Sequence, residues 1–373
     1  MNLLSSLPDL FWLVIAFCAV ALLALWWFVL GAPRAARRRA LRRRIDALGP
    51  AGKLSEATAL GSLRQAIAHA KDVLQQAPTP TGEDDGLYVI PWFLFIGDTA
   101  ADVPGLLAAA HSVSPLPLPE GADDRPDHAF WRWWFLESMT AIETSPAAVC
   151  DNGTPRARSL WYHALMELAE QRDRLPLNGI VVCVSTSSLL GDAAAIEPCA
   201  ARLRHLVDEA AEHLQLHLPV YLIVTGLQRL VGYETVRDAL PPAVLDQVLG
   251  HRLPADTAHA AQRRNPNAKH DDDALSELFA PIALRLQGLR MSLLHAETTP
   301  AGRQAIHTFF AQLHALQPGL RRVVNRIFEE PGGRHPPHWR GLYLTGVQPE
   351  AGGIFVSDLF KRFLPADQPL AHS

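Results

Sequence analysis

Apolar residues form three kinds of pattern along the chain, and each pattern predicts a different kind of element. Leu10–Ala32 is a continuous apolar run without a charged residue. At about 1.5 Å per residue, a helix of that length would cross the hydrocarbon core of a bilayer. Shorter apolar runs at 92–96, 180–184 and 219–225 are typical of buried strands. Elsewhere apolar residues recur every three to four positions, which predicts amphipathic helices.

The order of these elements predicts an α/β fold. Buried strands alternate with helices between residues 86 and 250, which predicts a mainly parallel sheet flanked by helices. A helical pattern at 54–76 precedes the sheet, and a Pro/Gly/acid linker at 77–85 joins the two. Two long helices with strict apolar spacing follow the sheet and predict a helical subdomain.

The predicted organisation has five parts. They are a transmembrane helix at 10–32, a basic juxtamembrane segment, helical stem and linker at 33–85, an α/β domain at 86–250, a helical subdomain at 251–338 and a C-terminal segment at 339–373, which is short and mixed.

Charge predicts orientation and limits the possible partners. Seven arginines follow the apolar run: Arg34, Arg37, Arg38, Arg39, Arg42, Arg43 and Arg44. By the positive-inside rule they place the N-terminus outside and the rest of the chain in the cytoplasm. Removing those seven charges from the formal total of −4 leaves −11, so the remainder is acidic. Nucleic acid is therefore not an expected partner.

Cysteine and histidine patterns do not predict a metal site. The four cysteines lack CxxC or metal-ligand spacing, and the sixteen histidines are scattered. This cysteine usage is typical of a reducing compartment. We predict neither a metal nor a cofactor.

The run that ends at Gly97 has the frame of a phosphate-binding loop, namely a buried strand, a glycine turn and a helix N-terminus. P-loop spacing then requires glycine, lysine and Ser or Thr, where this chain has Asp102, Val103 and Pro104. The lysine charge and the magnesium-binding hydroxyl are both missing. At about 5 Å, the Asp102 carboxylate would repel a phosphate charge by roughly 3 kcal/mol. We therefore predict that Asp102 caps the following helix.

Two other stretches allow a functional and a structural interpretation. The aromatic cluster at 130–135 could form a stacking platform or docking patch, but in an acidic protein a strand packed into the core is preferred. Ser185–Ser188 could form the polar tip of an active site. Hydroxyls without a paired base more often cap helices, and we predict that role.

Five stretches together carry a family resemblance. In chain order they are IPWFLFIG, WRWWFLESMTAIET, RLPLNGIVVCVSTSSLL, LPVYLIVTGLQRLVGYE, and WRGLYLTGVQPE followed by SDLFKRFLP. By these the chain resembles the cytoplasmic N-terminal region of the IcmF/TssM family, inner-membrane proteins of type VI secretion systems and the related Dot/Icm machinery. In that family the region is a GTPase-like domain, so the resemblance implies a P-loop-NTPase-like sheet.

The resemblance also implies that the nucleotide motifs are degraded. The family's Asp-Thr-Ala-Gly motif falls on Glu143–Pro146, and its base-reading Thr-Lys-Cys-Asp motif falls on Thr225–Gln228. Pro146 has no N–H with which to sense a γ-phosphate. The degenerate positions are Gly97, Asp102, Val103, Pro104, Glu143, Pro146, Thr225 and Gln228. This pattern favours a pseudo-GTPase without catalytic activity.

The function that follows is a non-catalytic inner-membrane docking subunit of a type VI secretion complex. The resemblance implies three partners: a DotU/TssL-like membrane subunit, a full-length TssM-like homologue and baseplate proteins. One alternative is a residual NTPase in which Glu143 holds magnesium and Thr99 touches phosphate. Another is a membrane-anchored regulatory module unrelated to secretion. Family members usually begin with a membrane hairpin and continue past the DLF segment, so a short paralogue and a fragment both remain open.

Overall fold

The computed structural model describes residues 53–76, 86–116, 130–150, 155–253, 274–329, 337–348 and 352–371, with short pieces between residues 12 and 43. Seven strands form one sheet: β1 (Trp92–Gly97), β2 (Trp131–Phe135), β3 (Thr140–Thr144), β4 (Gly179–Ser185), β5 (Pro219–Thr225), β6 (Leu249–Arg252) and β7 (His338–Leu344). A separate two-stranded ribbon pairs β8 (Gly346–Gln348) with β9 (Gly352–Ile354).

The strand order in the sheet is β2-β3-β1-β4-β5-β7-β6. The five inner strands run parallel, while β2 and β6 pair antiparallel at the two edges. Side chains of β1 alternate between two cores: Trp92, Leu94 and Ile96 join the larger one, Phe93 and Phe95 the smaller. Both faces are therefore covered, which explains why the central strands β1, β4 and β5 are almost entirely apolar. The predicted mainly parallel α/β sheet is confirmed.

Twelve α-helices in the described residues surround the sheet. They are α1 (Lys53–Gln76), α2 (Gly86–Val89), α3 (Val103–Val113), α4 (Pro146–Cys150), α5 (Pro155–Gln171), α6 (Thr186–Leu190), α7 (Ala193–Leu214), α8 (Tyr233–Ala239), α9 (Pro242–Leu245), α10 (Ala274–Ala296), α11 (Pro300–Ala315) and α12 (Gln317–Val324). Short 3-10 and π turns connect several of them.

Helix α1, predicted as a stem, packs against α5. Leu63, Ile67 and Leu74 are fully buried in the larger core, and Arg64 pairs with Glu167 of α5. The apolar stripe of α1 therefore covers the α/β body directly. The helix itself is confirmed, and the predicted linker at 77–85 lies outside the described residues.

The two long helices predicted after the sheet are present as α10 and as α11 continued by α12. All but one of their periodic apolar positions are buried, as the spacing predicted: Leu275, Leu278, Phe279, Ile282, Leu286, Leu293, Ile306, Phe309, Phe310, Leu313, Leu316, Leu320, Val323, Val324 and Ile327. The exception is Leu289, which is partly buried. These faces pack on α7, α8 and β6. The apolar residues left exposed on α10 are different ones, Leu284 and Met291.

The C-terminal tail contributes more to the sheet than its sequence predicted. β7 lies between β5 and β6, so the segment 338–344 is an internal strand. After the ribbon, residues 355–371 cover the smaller core, where Phe360 stacks on Phe95 of β1. The prediction of a short mixed tail missed this strand because β7 contains an arginine, Arg340, within its apolar run.

The predicted transmembrane helix at 10–32 is described only at residues 12, 14–22 and 25, which are helical. Among the residues with described structure, no helix is both long and apolar enough to cross a bilayer. The remaining positions of that span lie outside the described residues.

Candidate functional site

The candidate site lies at the carboxyl edge of the parallel strands. From β1 the chain moves to β2 and β3 on one side of the sheet, then crosses through α5 to β4 on the other side. Such a reversal opens a crevice beyond the strand ends, where α/β proteins bind ligands. The strands that end there are β1 at Gly97, β3 at Thr144, β4 at Ser185 and β5 at Thr225.

The loop after β1 has a tight turn whose shape depends on Gly97. A Cβ at Gly97 would lie 2.9 Å from the Val103 side chain and 3.1 Å from the Cys183 carbonyl oxygen. Any larger residue would therefore force the loop away from β4. The glycine requirement of the P-loop frame is retained at this position.

Asp102 caps α3, as predicted. Its side chain accepts a hydrogen bond from the Gly105 N–H at 3.2 Å. Its backbone is left-handed, with φ 48° and ψ 51°, a conformation that glycine adopts far more readily than aspartate. The backbone at 102 therefore has a conformation that favours glycine, although the residue is aspartate.

The two positions after Asp102 serve packing and helix initiation. Val103 is buried in the smaller core beneath α3, so the position of a P-loop lysine carries an apolar side chain directed inward. Pro104 lies in the first turn of α3, where its missing N–H removes no intrahelical bond. Neither position provides a charge or a hydroxyl.

Glu143, near the end of β3, is held by the neighbouring edge strand β2. Trp134 donates its indole N–H to Oε2 of Glu143 at 2.8 Å, and an Arg132 nitrogen lies 3.8 Å from the same oxygen. The carboxylate is buried, so the Trp134 hydrogen bond and the nearby Arg132 charge compensate part of its desolvation. Pro146 is the first residue of the short helix α4.

Thr225 and Gln228, the positions on which the resemblance places a base-reading motif, make structural contacts at the end of β5. The buried Thr225 hydroxyl donates to the Ala101 carbonyl at 2.6 Å, across to the loop after β1. The side-chain oxygen of Gln228 accepts a hydrogen bond from the Val347 N–H of β8 at 3.0 Å. Gln228 therefore fixes the ribbon to this edge of the sheet.

Sequence reasoning missed Arg229, which joins three loops. Its Nη1 donates to the Ala100 carbonyl at 2.8 Å and to Oγ of Ser187 at 3.1 Å. The one sequence signal for this role is its position directly after Gln228, in the loop that follows β5. Ser185 accepts from the Ser188 N–H at 2.9 Å, which confirms that this serine cluster caps a helix.

The thiols near the site are protonated. Burial and the nearby Asp98 carboxylate raise the pKa of Cys199 to about 12, and its Sγ donates to Asp98 at 3.5 Å. Burial likewise raises the pKa of Cys183 above its ordinary value. Only the thiolate acts as a nucleophile or a metal ligand, and the raised pKa values keep both cysteines in the thiol form. Among the described side chains, no group of three His, Cys, Asp or Glu residues could hold a metal ion.

The structure therefore brings some of the predicted positions together and separates others. Gly97, Asp102, Val103 and Thr225 surround one loop, with Arg229 above it. Glu143 instead contacts β2, and Gln228 contacts β8. The fold and this edge define a class of protein, a mainly parallel α/β domain. The loop after its first strand has the frame of a P-loop but lacks the lysine and the hydroxyl.

Comparison with known proteins identifies the family. The model of the IcmF-related N-terminal domain matches residues 155–373. This match covers more than half of the chain, so the chain belongs to the IcmF/TssM family, and the resemblance seen in the five sequence stretches is confirmed. The chain is also 26% identical over 309 residues to the type VI secretion system component TssM1 of Pseudomonas aeruginosa. That alignment covers 82% of this chain and 27% of the relative, so the chain spans about a quarter of the relative's length.

Proposed function

We propose that this protein is a non-catalytic structural and docking subunit of a type VI secretion complex at the bacterial inner membrane. Its α/β domain acts as a pseudo-GTPase. The observation that carries the proposal is Asp102, whose carboxylate occupies the N-terminus of α3, where a P-loop would hold phosphate.

The amides around this loop support a domain that does not bind nucleotide. Pro104 has no N–H, the Gly105 N–H is bonded to Asp102, and the Ala101 N–H is bonded to Asp98 at 2.9 Å. A polyphosphate would have to displace two carboxylates to reach these donors, against like-charge repulsion. In the residual-NTPase alternative, Glu143 would also have to leave its Trp134 partner before it could hold magnesium.

Nucleotide titration tests this part of the proposal. The purified chain of 373 residues in detergent should show no Mg-GTP or Mg-ATP affinity tighter than about 1 mM, which corresponds to roughly −4 kcal/mol. The triple variant Asp102→Gly, Val103→Lys, Pro104→Thr should recover little affinity, because Gln228 still lacks the carboxylate that would read the base. A micromolar dissociation constant for the unmodified chain would instead support the residual NTPase.

The membrane part of the proposal rests on the sequence. The apolar run at 10–32 followed by seven arginines supports a single-pass anchor with a periplasmic N-terminus and a cytoplasmic domain. A reporter fused after Ser373 should be active only in its cytoplasmic form. Periplasmic reporter activity would contradict the orientation, and recovery of the protein without membranes would contradict the anchor.

For docking, helix α10 offers an exposed apolar surface formed by Leu284 and Met291, which are 71% and 62% exposed. Their spacing of seven residues puts both on one face, opposite the buried positions of the same helix. We propose that this face contacts the DotU/TssL-like membrane subunit. The full-length TssM-like homologue and baseplate proteins are the other proposed partners.

Charge substitutions on α10 test the docking face. Leu284→Asp and Met291→Asp should release the membrane subunit in pull-downs from membranes, each weakening binding by about 2 kcal/mol or more at a hot spot. The matched control is Gln304→Glu, at an exposed polar position on the neighbouring helix α11, which should retain the partner. Two results would show that the face is not a docking site. Either the partner stays bound to both aspartate variants, or the variants lose thermal stability before they lose binding.

A further inference from the structure

We propose that the carboxyl edge of the sheet contains a lock, in which Thr225 and Arg229 hold the loop after β1 in one conformation without any nucleotide. The lock rests on the proposed function, because it explains how the loops of the same degenerate site stay ordered when no nucleotide is bound. In a switching GTPase a ligand orders the loops at this edge. Here side chains of the protein itself do so.

The first part of the lock acts on two consecutive carbonyl groups. Thr225 donates to the Ala101 oxygen at 2.6 Å, and Arg229 donates to the Ala100 oxygen at 2.8 Å. The two donors lie at the last residue of β5 and in the loop that follows it, and they are separated from their acceptors by 124 and 129 residues. Each contact therefore ties one loop of the edge to another.

The second part acts on the amide groups of the same loop. Asp98 accepts from the Ala101 N–H at 2.9 Å, and Asp102 accepts from the Gly105 N–H at 3.2 Å. The Ala101 peptide is thus bonded through its N–H and through its carbonyl. A ligand that bound here would have to compete with bonds that already exist in the free protein.

The loop after β4 joins the same network. Arg229 also donates to the Ser187 hydroxyl at 3.1 Å, and Thr186 donates to the Gly226 carbonyl at 2.8 Å. Gly226 has φ +87°, and a Cβ there would lie 3.1 Å from the Thr186 hydroxyl. Three loops that could move independently are therefore braced against one another.

A ligand can shift a conformational equilibrium only by its differential affinity for the two states. The braced loops favour one state before any ligand arrives. We therefore expect a partner that recognises this edge to bind equally well with and without nucleotide.

Hydrogen exchange on the full chain in detergent tests the lock without nucleotide. Thr225→Val and Arg229→Ala together should raise exchange in a peptide covering 98–106 by about tenfold, because two hydrogen bonds are lost. Arg303→Ala is the control for arginine, since Arg303 is exposed and donates to the Glu297 carbonyl at 2.8 Å. Thr140→Val is the control for threonine, since the buried Thr140 hydroxyl has no hydrogen-bond partner among the described residues. Both controls should leave the 98–106 peptide unchanged.

Each outcome of this experiment supports or contradicts the lock. Exchange of the unmodified loop at the rate of an unstructured peptide would overturn the lock, and so would unchanged exchange in the double variant. If Thr225→Val unfolds the protein, the exposed Arg229→Ala alone decides, with an expected increase of about threefold. A separate Mg-GTP arm distinguishes the two proposals: nucleotide protection of an already ordered loop would contradict the pseudo-GTPase and leave the lock standing.

Discussion

The carboxyl edge of the sheet and the C-terminal segment at 355–371 differ in how they bury polar groups. At the edge, Arg229 is exposed and donates to a serine hydroxyl and a backbone carbonyl. In the C-terminal segment, Asp367 is only 3% exposed and accepts two hydrogen bonds from the buried Arg340, both at 2.9 Å. Tyr221 adds a third at 2.8 Å.

This difference indicates in which region side-chain substitutions cost little stability. Water can replace a partner at an exposed edge, so side chains there can be exchanged at small cost in stability. A buried carboxylate and guanidinium depend on each other, because removing one leaves an uncompensated charge in the interior. We therefore expect substitutions of exposed side chains at this edge to preserve the fold, whereas the Arg340–Asp367 pair should not tolerate the loss of one member alone.

The largest effect is expected from Asp367→Ala. Removing this carboxylate leaves Arg340 buried without its bidentate partner, and we expect the free energy of unfolding to fall by about 3–5 kcal/mol. Urea unfolding measures the loss. The control is Asp238→Ala, whose carboxylate is 66% exposed and pairs with Arg237, and it should change stability by no more than about 1 kcal/mol. Equal losses in the two variants would abolish the distinction between buried and exposed pairs.

Two buried tyrosines allow a hydrogen-bonded hydroxyl to be compared with an unbonded one near Asp367. The rings of Tyr221 and Tyr343 stack with centroids 6.5 Å apart, but only Tyr221 donates to Asp367. Within the described structure the Tyr343 hydroxyl has no hydrogen-bond partner. Tyr221→Phe should therefore lower stability by about 1.5–3 kcal/mol, while Tyr343→Phe should be neutral or stabilising at pH 7. A loss in Tyr343→Phe as large as in Tyr221→Phe would contradict this assignment.

Alkaline pH should reveal the same buried hydroxyl. Burial raises the pKa of Tyr343 above its ordinary value of 10, so the folded state keeps this proton where the unfolded state loses it. Stability is then complete below pH 10 and falls as the pH rises further, by up to about 1.4 kcal/mol per unit for one group. Tyr343→Phe removes this loss, so its advantage over the unmodified protein should grow between pH 10 and 11.5 in urea unfolding. Burial lowers the pKa of Arg172 to about 9, and this shift makes stability rise with pH above 9. Because Arg172 is present in both proteins, it does not change the difference between them.

Local patterns predicted most of the fold. β1, β4 and β5 are almost entirely apolar and were recognised as buried strands, and all but one of the periodic positions of α10 and α11 are buried as their spacing required. β7 was missed because the buried charge of Arg340 looks like an exposed position. Its partner Asp367 lies 27 residues further along the chain, and an ion pair at that separation leaves no local signal.

At the candidate site, too, contacts between residues close in sequence were predictable and contacts between distant residues were not. The cap by Asp102 was predictable because it reaches only three residues along the chain, to Gly105. The bonds from Thr225 and Arg229 to Ala101 and Ala100 span more than a hundred residues. They depend on how the strands are ordered in the sheet, which the sequence does not show directly.

The smallest effect is expected at Asp102, where two contributions oppose each other. Glycine would relieve the left-handed backbone, worth about 1 kcal/mol, and would lose only a few tenths of a kcal/mol as a cap. Alanine would keep the strain and lose the cap, which lowers stability by about 1–2 kcal/mol. Asp102→Gly should therefore match or exceed the unmodified protein in urea unfolding, and Asp102→Ala should fall below both. Equal stabilities for the glycine and alanine variants would mean that position 102 does not keep the left-handed turn. Because the exposed edge tolerates this exchange, the glycine variant should gain stability without gaining affinity for Mg-GTP.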